Sequence, residues 1–315
     1  MSGMKTFITS LAFLIVSTGL QAQKADSIKK TTSADSLFNL MNTSDNKKEI
    51  VPIFESSRLI LSQSTEMIKK NNFNVLIMHR FGDIGGDDGG GKYLYGLDKV
   101  ADLYIGFEYG LTNNLNIDIG RSATPDEGGL VTLEVKYAVL HQTNDDSSPF
   151  ALTLVGEPGI RPYGDFDRFG DRLSYFAQAI FARKISHDWS VQVAPSFLQN
   201  NQPIPDVPGS ENGFFSLSAS VAVKVTKLMS FVVDYAHPFS SFRNGNGFSD
   251  PLGVGIQLVT GGHVFTMNFT NARSANEINY LSNTTSDYFK GNFRIGFTIA
   301  RLFDFNHSEN YQPRR

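Results

Sequence analysis

The 315-residue sequence contains no cysteine and a single tryptophan, and its formal net charge is only −3. Without cysteine, the chain has no disulfides, no cysteine-ligated zinc, no thiol catalysis and no acylated N-terminal cysteine. Without a basic excess, nucleic acid is not expected as a partner. Long apolar runs are also scarce, and the slightly negative mean hydropathy argues against a bundle of membrane-spanning helices.

Phenylalanine (26), glycine (28) and tyrosine (11) are abundant instead. This composition with modest hydropathy is typical of membrane β-barrels, in which the half of each strand that faces the lumen is polar.

The N-terminal residues follow an export pattern. Lys5 precedes an apolar stretch at residues 7–20, which is too short to span a bilayer, and small or tolerated residues follow at 20–22. We therefore predict a cleavable signal peptide over residues 1–22, with a membrane anchor as the alternative. Residues 23–50 are polar and aperiodic, which predicts a flexible periplasmic linker.

From residue 73 onward, apolar and polar residues alternate with period two, as Leu115, Ile117 and Ile119 do with Asn116 and Asp118. Alternate side chains of a strand point to opposite faces, so each strand has one apolar and one polar face. About twelve strands are predicted, starting near Phe73, Lys99, Leu115, Leu130, Phe150, Arg172, Trp189, Gly213, Met229, Leu252, His263 and Lys290.

The connections between these strands alternate in length. Short turns are interleaved with long polar segments centred on residues 85–92, 162–171, 202–212, 239–250 and 273–287. Short periplasmic turns and long external loops alternate in this way in outer-membrane barrels. The predicted fold class is therefore all-β: a single transmembrane antiparallel barrel over residues 73–305, in contact with outer-membrane lipid. A short periplasmic arm precedes the barrel, and a periplasmic tail (306–315) follows it.

Ionisable residues lie in mid-strand on the face opposite the apolar one. Nine charges in the dry core of a soluble β-sandwich would carry a severe desolvation cost, which favours a wet lumen. The predicted lumen-lining residues are Asp102, Glu108, Asp118, Glu134, Lys136, Glu157, Lys224, Asp234 and Arg294. Their acidic excess would favour cations if the lumen is open. Alternatively, paired charges fill a narrow barrel.

Residues 51–72 form the main piece outside the barrel and mix apolar with polar residues, including Phe54, Arg58 and Glu66. One hypothesis is that this segment folds back as a partial plug of the lumen, with Arg58 pairing to lumen carboxylates such as Glu108 or Asp118. The alternative is an arm that packs across the barrel mouth.

Several short runs carry a family resemblance. They are FESSR at 54–58, Gln63-Ser64 with Glu66, MHRFG at 78–82, Gly96-Leu97-Asp98, and GFEYGLTNNLNIDIGRS at 106–122. Over residues 54–137 the chain resembles a family of exported barrels from Gram-negative bacteria whose function is not established. The resemblance implies the barrel fold and an outer-membrane location, and it brings no catalytic residues.

The sequence shows no nucleophile motif of the Gly-x-Ser-x-Gly kind, and its six histidines are scattered rather than set at metal-ligand spacing. We therefore expect neither a catalytic site nor a metal or other cofactor. The leading hypothesis is a narrow, mildly cation-favouring channel for small solutes. The second is a non-conducting structural or docking barrel that engages a periplasmic or surface partner, and the third is a barrel hydrolase.

Overall fold

The computed structural model of the chain describes residues 48–85, 89–124, 129–204 and 206–305. The predicted signal peptide, most of the predicted linker and the predicted tail lie outside these residues. Among the residues described, no helix is long and apolar enough to cross a lipid bilayer.

Twelve antiparallel strands pair in sequence order and close into a barrel, in which β1 pairs with β12 from Phe73↔Phe303 onward. Closure satisfies the backbone groups within the wall and leaves no strand edge in lipid. The predicted fold class is confirmed. The strands are β1 Phe73–Asp83, β2 Val100–Gly110, β3 Leu115–Ser122, β4 Leu130–Leu140, β5 Ala151–Ile160, β6 Leu173–Lys184, β7 Trp189–Asn200, β8 Phe214–Lys224, β9 Met229–Phe239, β10 Leu252–Thr260, β11 His263–Thr270 and β12 Arg294–Phe303.

The last strand begins later than its predicted start near Lys290. The Asp287 side chain accepts a hydrogen bond from the backbone N–H of Phe289 (3.0 Å), which stabilises a short 3-10 helix at Tyr288–Lys290. Gly291 then adopts a left-handed conformation with φ 83°, and β12 follows from Arg294. Glycine takes this conformation without the steric cost that a Cβ would add.

The period-two alternation places apolar side chains on the outer face of the barrel. The inner face is mixed, because polar residues there are interspersed with buried apolar ones such as Leu76, Phe176 and Leu198. Along β3, Ile119 is 54% exposed, whereas Asp118 is only 5% exposed. The β2–β3, β6–β7, β8–β9 and β10–β11 turns share one end of the barrel, which we call the short-turn end. The opposite end, where the connections include the long one between β11 and β12, is the long-loop end.

A β-hairpin of residues 57–64, which we call the inner hairpin, lies within the barrel. Its closing contacts are a bridge between Arg58 and Gln63 and a hydrogen bond from Leu59 N to Ser62 O (2.9 Å). The hairpin contacts inward side chains of β1, β2, β4, β7, β9 and β10, which surround it. Its tip residues Leu59, Ile60 and Leu61 are at most 1% exposed.

The chain enters and leaves the barrel at the short-turn end. Val51 N donates to Gln142 O (2.9 Å) in the β4–β5 connection before the hairpin, and Asn71 N donates to Gly110 O (2.8 Å) at the end of β2 after it.

A second segment, residues 271–286, fills the lumen from the long-loop end, and we call it the inner loop. It contains the helix α1 (Glu277–Asn283), where the Asn276 side chain caps the N-terminus by accepting from Ile278 N (2.9 Å). The residues of α1 from Glu277 to Ser282 are all buried. The sequence analysis predicted an external loop without helical structure at 273–287, and that prediction was wrong. The helix spans only seven residues, too few to show a helical period.

The inner hairpin approaches the wall closely at Gly253 of β10, where a Cβ atom would lie 2.5 Å from Ile60 Cγ2. We expect Gly253→Ala to overpack this contact and to reduce the stability of the barrel by about 1–3 kcal/mol. The measurement is the temperature at which the refolded protein loses its compact gel mobility.

Gly156→Ala is the matched control, since nothing lies within 4 Å of a Cβ at that position on β5. Equal heat stability of the two variants would contradict the close packing of Ile60 against β10.

Candidate functional site

The structure places the predicted lumen-lining residues on the inner face of the wall. Eight are at most 5% exposed: Asp102, Glu108, Asp118, Glu134, Lys136, Glu157, Asp234 and Arg294. Lys224 lies nearer the short-turn end, partly exposed, and its Nζ binds Glu55 Oε1 (3.0 Å). Arg294 lies toward the other end of the lumen and pairs with Asp83.

Asp234 of β9 anchors the tip of the inner hairpin. Its Oδ2 accepts hydrogen bonds from the backbone N–H groups of Ile60 (3.3 Å), Leu61 (2.8 Å) and Ser62 (2.8 Å). Its Oδ1 accepts from the hydroxyls of Ser62 (2.7 Å) and Ser220 (2.6 Å). Buried backbone N–H groups need partners, and one carboxylate supplies them for three consecutive residues.

Asp102 of β2 anchors the inner loop in a similar way. Its Oδ2 accepts from Ala275 N (2.8 Å) and from the hydroxyl of Ser274 (2.9 Å). Ser122 and Thr124 donate to the same carboxylate from β3 and the residues after it. We call the inner hairpin and the inner loop the filling segments, because together they fill the lumen. Each is held by an aspartate of the wall that accepts hydrogen bonds from its main chain.

Arg58 joins the two filling segments to each other. Its Nη1 lies 3.0 Å from both carboxylate oxygens of Glu277 in α1, and its Nη2 lies 3.7 Å from Glu134 Oε2. Arg58 therefore pairs with a predicted lumen carboxylate, Glu134, although not with the two given as examples, Glu108 and Asp118. The side chain that reaches Glu108 belongs to Ser57, whose hydroxyl donates to it at 2.8 Å.

In the ion pair of Arg58 and Glu277, each charge favours the charged form of the other residue. Burial raises the pKa of Glu277, and the positive charge of Arg58 opposes that rise. Burial alone would lower the pKa of Arg58, but the attraction of Glu277 and other acidic groups outweighs it, so the pKa lies above its usual range. Arg58 therefore remains charged inside the lumen.

Four carboxylates form a row across neighbouring strands, which we call the acidic row. Glu108 pairs in register with Asp118, and Asp118 pairs with Glu134. The pairings Thr132↔Gly159 and Val135↔Gly156 place Glu157 beside Glu134. The acidic row comprises Glu108, Asp118, Glu134 and Glu157.

Neutral side chains donate to each member of the row. Asn74 donates to Glu108 (2.5 Å), Tyr104 to Asp118 (3.3 Å), Gln63 to Glu134 and Asn276 to Glu157 (2.5 Å). The nearby ammonium of Lys136 donates to Ser57 O (3.3 Å).

The other two residues singled out in residues 51–72 stabilise the approach to the hairpin. Glu66 Oε1 accepts from the backbone N–H groups of Ile53 (2.8 Å) and Phe54 (3.0 Å). Phe54 is 3% exposed and packs in the same apolar cluster as Leu59 and Ile60.

Sequence reasoning missed Glu277, and it gave Arg80 no partner. Arg80 Nη2 donates to Ile60 O (2.7 Å), and its Nη1 donates to Asn268 Oδ1 (2.9 Å). Glu277 lies in a loop that turns into the lumen, and the residues of this loop show no periodicity from which its inward course could be predicted. Arg80 falls on the polar face of β1, and the sequence already offered it as a fourth basic residue of the lumen, without a partner.

Of the three serines on the inner face of β8, only Ser220 uses its hydroxyl in a hydrogen bond, because the hydroxyls of Ser216 and Ser218 have no partner among the described residues. Ser220 donates to Asp234, and the three serines Ser216, Ser218 and Ser220 are at most 2% exposed. Within the described part of the chain, no group of histidine, aspartate or glutamate side chains converges in a way that could hold a metal ion.

The sequence profile of one protein family, described as a membrane bound beta barrel domain (DUF5777), matches residues 54–303. The chain belongs to this family. The DUF5777 match begins at Phe54, so it includes the inner hairpin as well as the barrel. The protein is an outer-membrane β-barrel. No protein of curated function matches the sequence significantly.

Solved structures similar to this DUF5777 chain include porins, an outer membrane channel and other proteins such as LpxR from Salmonella typhimurium, all of low sequence identity. The NanC porin has a TM-score of 0.47 and 9% identity, with 74% of this chain and 100% of the porin covered. An outer membrane channel from Pseudomonas putida F1 has a TM-score of 0.43 and 12% identity, covering 75% and 97%. Omp33 of Acinetobacter baumannii has a TM-score of 0.40 and 11% identity, covering 74% and 99%.

The anchoring role of Asp234 can be tested by Asp234→Asn, which keeps the size of the side chain but replaces an acceptor oxygen by a donor. We expect a loss of about 1–3 kcal/mol of stability, because buried N–H groups of the hairpin tip lose their acceptor. Amide exchange at Ile60, Leu61 and Ser62 should accelerate.

Asp188→Asn, in the exposed β6–β7 turn, is the control for removing a negative charge. Unchanged amide protection at the hairpin tip in Asp234→Asn would show that Asp234 does not anchor it.

Proposed function

We propose that this barrel is a gated channel for small solutes and that the inner hairpin closes it. The observation that carries the proposal is the position of residues 57–64 in the middle of the lumen. There the hairpin makes hydrogen bonds to polar wall side chains, and its tip packs in an apolar cluster and is almost completely buried.

The nature of the hairpin's contacts supports displacement as the opening step. Much of its attachment to the wall consists of hydrogen bonds, among them those from Gln192 to Gln63 O (2.7 Å) and from Lys136 to Ser57 O (3.3 Å). Water can replace hydrogen bonds of this kind, so the net free energy of each is small. Both ends of the segment lie at the short-turn end, so the hairpin can withdraw on that side without crossing the wall.

The wall charges support a preference for cations in the open state. The predicted lumen residues comprise six carboxylates against three basic groups, and withdrawal of Arg58 removes a positive charge from their midst. A ring of carboxylates on a narrow pore attracts cations and repels anions.

A second candidate function is a non-conducting barrel that docks a periplasmic or surface partner. The inner loop favours it, because this loop also fills the lumen and makes wall contacts of its own. Asp102 holds its start, Asn276 donates to Glu157, and Arg161 donates to Asn279 (2.9 Å). If the loop stays in place, removal of the hairpin opens no path.

The gating role of the hairpin can be tested with a reversible tether. A Cβ on Gly253 would lie 3.3 Å from Ile60 Cβ, near the separation of about 3.5–4.5 Å found in disulfides. The chain has no native cysteine, so Ile60→Cys with Gly253→Cys forms a single defined bridge. In planar bilayers we expect the oxidised protein to stay closed and the reduced protein to show discrete conductance steps.

The two single-cysteine variants are the controls, and deletion of residues 51–64 is the complementary variant, which should raise unitary conductance. Equal conductance of the oxidised and reduced double variant would overturn the gating role. A silent deletion variant that is correctly folded would favour the docking barrel.

Charge selectivity can be tested in the chain that lacks residues 51–64. Asp118→Asn should move the reversal potential in a salt gradient toward zero, because it removes a buried lumen carboxylate. Asp188→Asn in the β6–β7 turn is the matched control on an exposed site. A reversal potential that is unchanged by Asp118→Asn would rule out this carboxylate as a source of selectivity.

A further inference from the structure

The acidic row places like charges directly opposite one another on four neighbouring strands. Like charges at opposed positions destabilise a sheet, and burial increases the cost. Glu108, Asp118, Glu134 and Glu157 are all at most 5% exposed. A wall built only to close a barrel has no need for this arrangement, and four neighbouring carboxyl groups favour a positive group beside them.

Arg58 is one positive group at the row in the closed state, and the Lys136 ammonium of the wall is another. The Arg58 guanidinium lies 3.0 Å from Glu277 and 3.7 Å from Glu134, and it stands 5.4 Å from the ring centroid of Tyr104. A planar cation between carboxylates and over an aromatic ring is the arrangement in which proteins bind guanidinium groups.

The acidic row also has acceptor capacity that the closed state leaves unused. Asp118 Oδ2 and Glu157 Oε2 accept no hydrogen bond from any described residue, although Asp118 is 5% exposed and Glu157 is 1% exposed. Buried carboxylate oxygens normally accept hydrogen bonds, so these two atoms indicate room for further donors at the row.

We propose that the acidic row, together with Tyr104 and Glu277, is a binding site for the guanidinium group of a small organic cation. Arg58 occupies this site in the closed state and stands in for the solute. The proposal rests on the proposed function in one respect: a solute reaches the row through the lumen after the hairpin withdraws. It names the substrate class of the channel as alkylguanidinium compounds.

The chemistry of the site distinguishes this class from others. A guanidinium has five N–H donors in one plane, which suits several carboxylates at once, whereas an anion is repelled by the row. A metal ion is disfavoured, because no group of acidic or histidine side chains in the described chain converges to ligate one.

The test uses the full-length chain with Arg58→Ala, refolded in detergent, and ethylguanidinium as the probe. Ethylurea has nearly the same shape without the charge and is the matched neutral compound. By titration calorimetry we expect ethylguanidinium to bind Arg58→Ala at least about tenfold more tightly than it binds the native chain, whose site is occupied. Asp118→Asn added to Arg58→Ala should remove this gain.

Arg80→Ala is the control for a cavity left by a buried arginine. Arg80 donates to Asn268 Oδ1 and Ile60 O, so the space it leaves should not bind ethylguanidinium preferentially. Equal binding by Arg58→Ala and the native chain would overturn the proposal, and so would equal binding of ethylguanidinium and ethylurea.

If Arg58→Ala does not fold alone, refolding with each compound tests the same site. Recovery of the compact, heat-modifiable form with ethylguanidinium but not with ethylurea would support the proposal, and failure with both would overturn it.

Conductance measurements separate the two proposals. A chain that binds ethylguanidinium but does not conduct would support the binding site and contradict the channel. A chain that conducts but does not bind ethylguanidinium would support the channel and contradict the binding site.

Discussion

The ion pair between Arg58 and Glu277 lies at the point where the two filling segments meet. Its partners are 219 positions apart in the sequence and enter the barrel from opposite ends. Burying such a pair is costly, and removing one partner leaves the other charge uncompensated. Displacement of the hairpin therefore withdraws the counter-charge of the loop. The two segments are linked through this ion pair and through the apolar cluster that Leu61 shares with Ile278 and Leu281.

The wall supplies hydrogen-bond acceptors to the inner hairpin and the inner loop. A hairpin and a loop inside a barrel carry backbone N–H groups that no strand of the wall can pair, because the wall strands pair only with each other. Asp234 and Asp102 supply acceptors instead, each for main-chain groups of one segment. The polar groups of the inner face, which would face water in an open pore, are directed toward protein in this conformation.

The sequence predicted the wall far better than its contents. Period-two alternation is a local signal, and eleven predicted strand starts lie within one residue of the observed ones, as Phe73 and Leu115 show. The late start of β12 follows from the 3-10 helix that Asp287 caps, a local turn that alternation does not reveal.

The interior depends on contacts between distant residues, and sequence spacing carries no information about those. The pairing of Arg58 with Glu277 could not be read from the chain, and α1 is too short to show a period. A polar strand face also looks the same whether it faces water or a buried hairpin. The inner carboxylates could be named from the sequence, but their partners could not.

Both filling segments adjoin the strands that close the barrel. The inner hairpin precedes β1 and the inner loop precedes β12, and β1 pairs with β12 to complete the cylinder. During assembly in the membrane this seam forms between the first and last strands of the sheet, so the hairpin and the loop are drawn together as it closes. Filling the interior and sealing the wall are therefore steps of the same assembly event, and a chain that fails at one is expected to stall at the other.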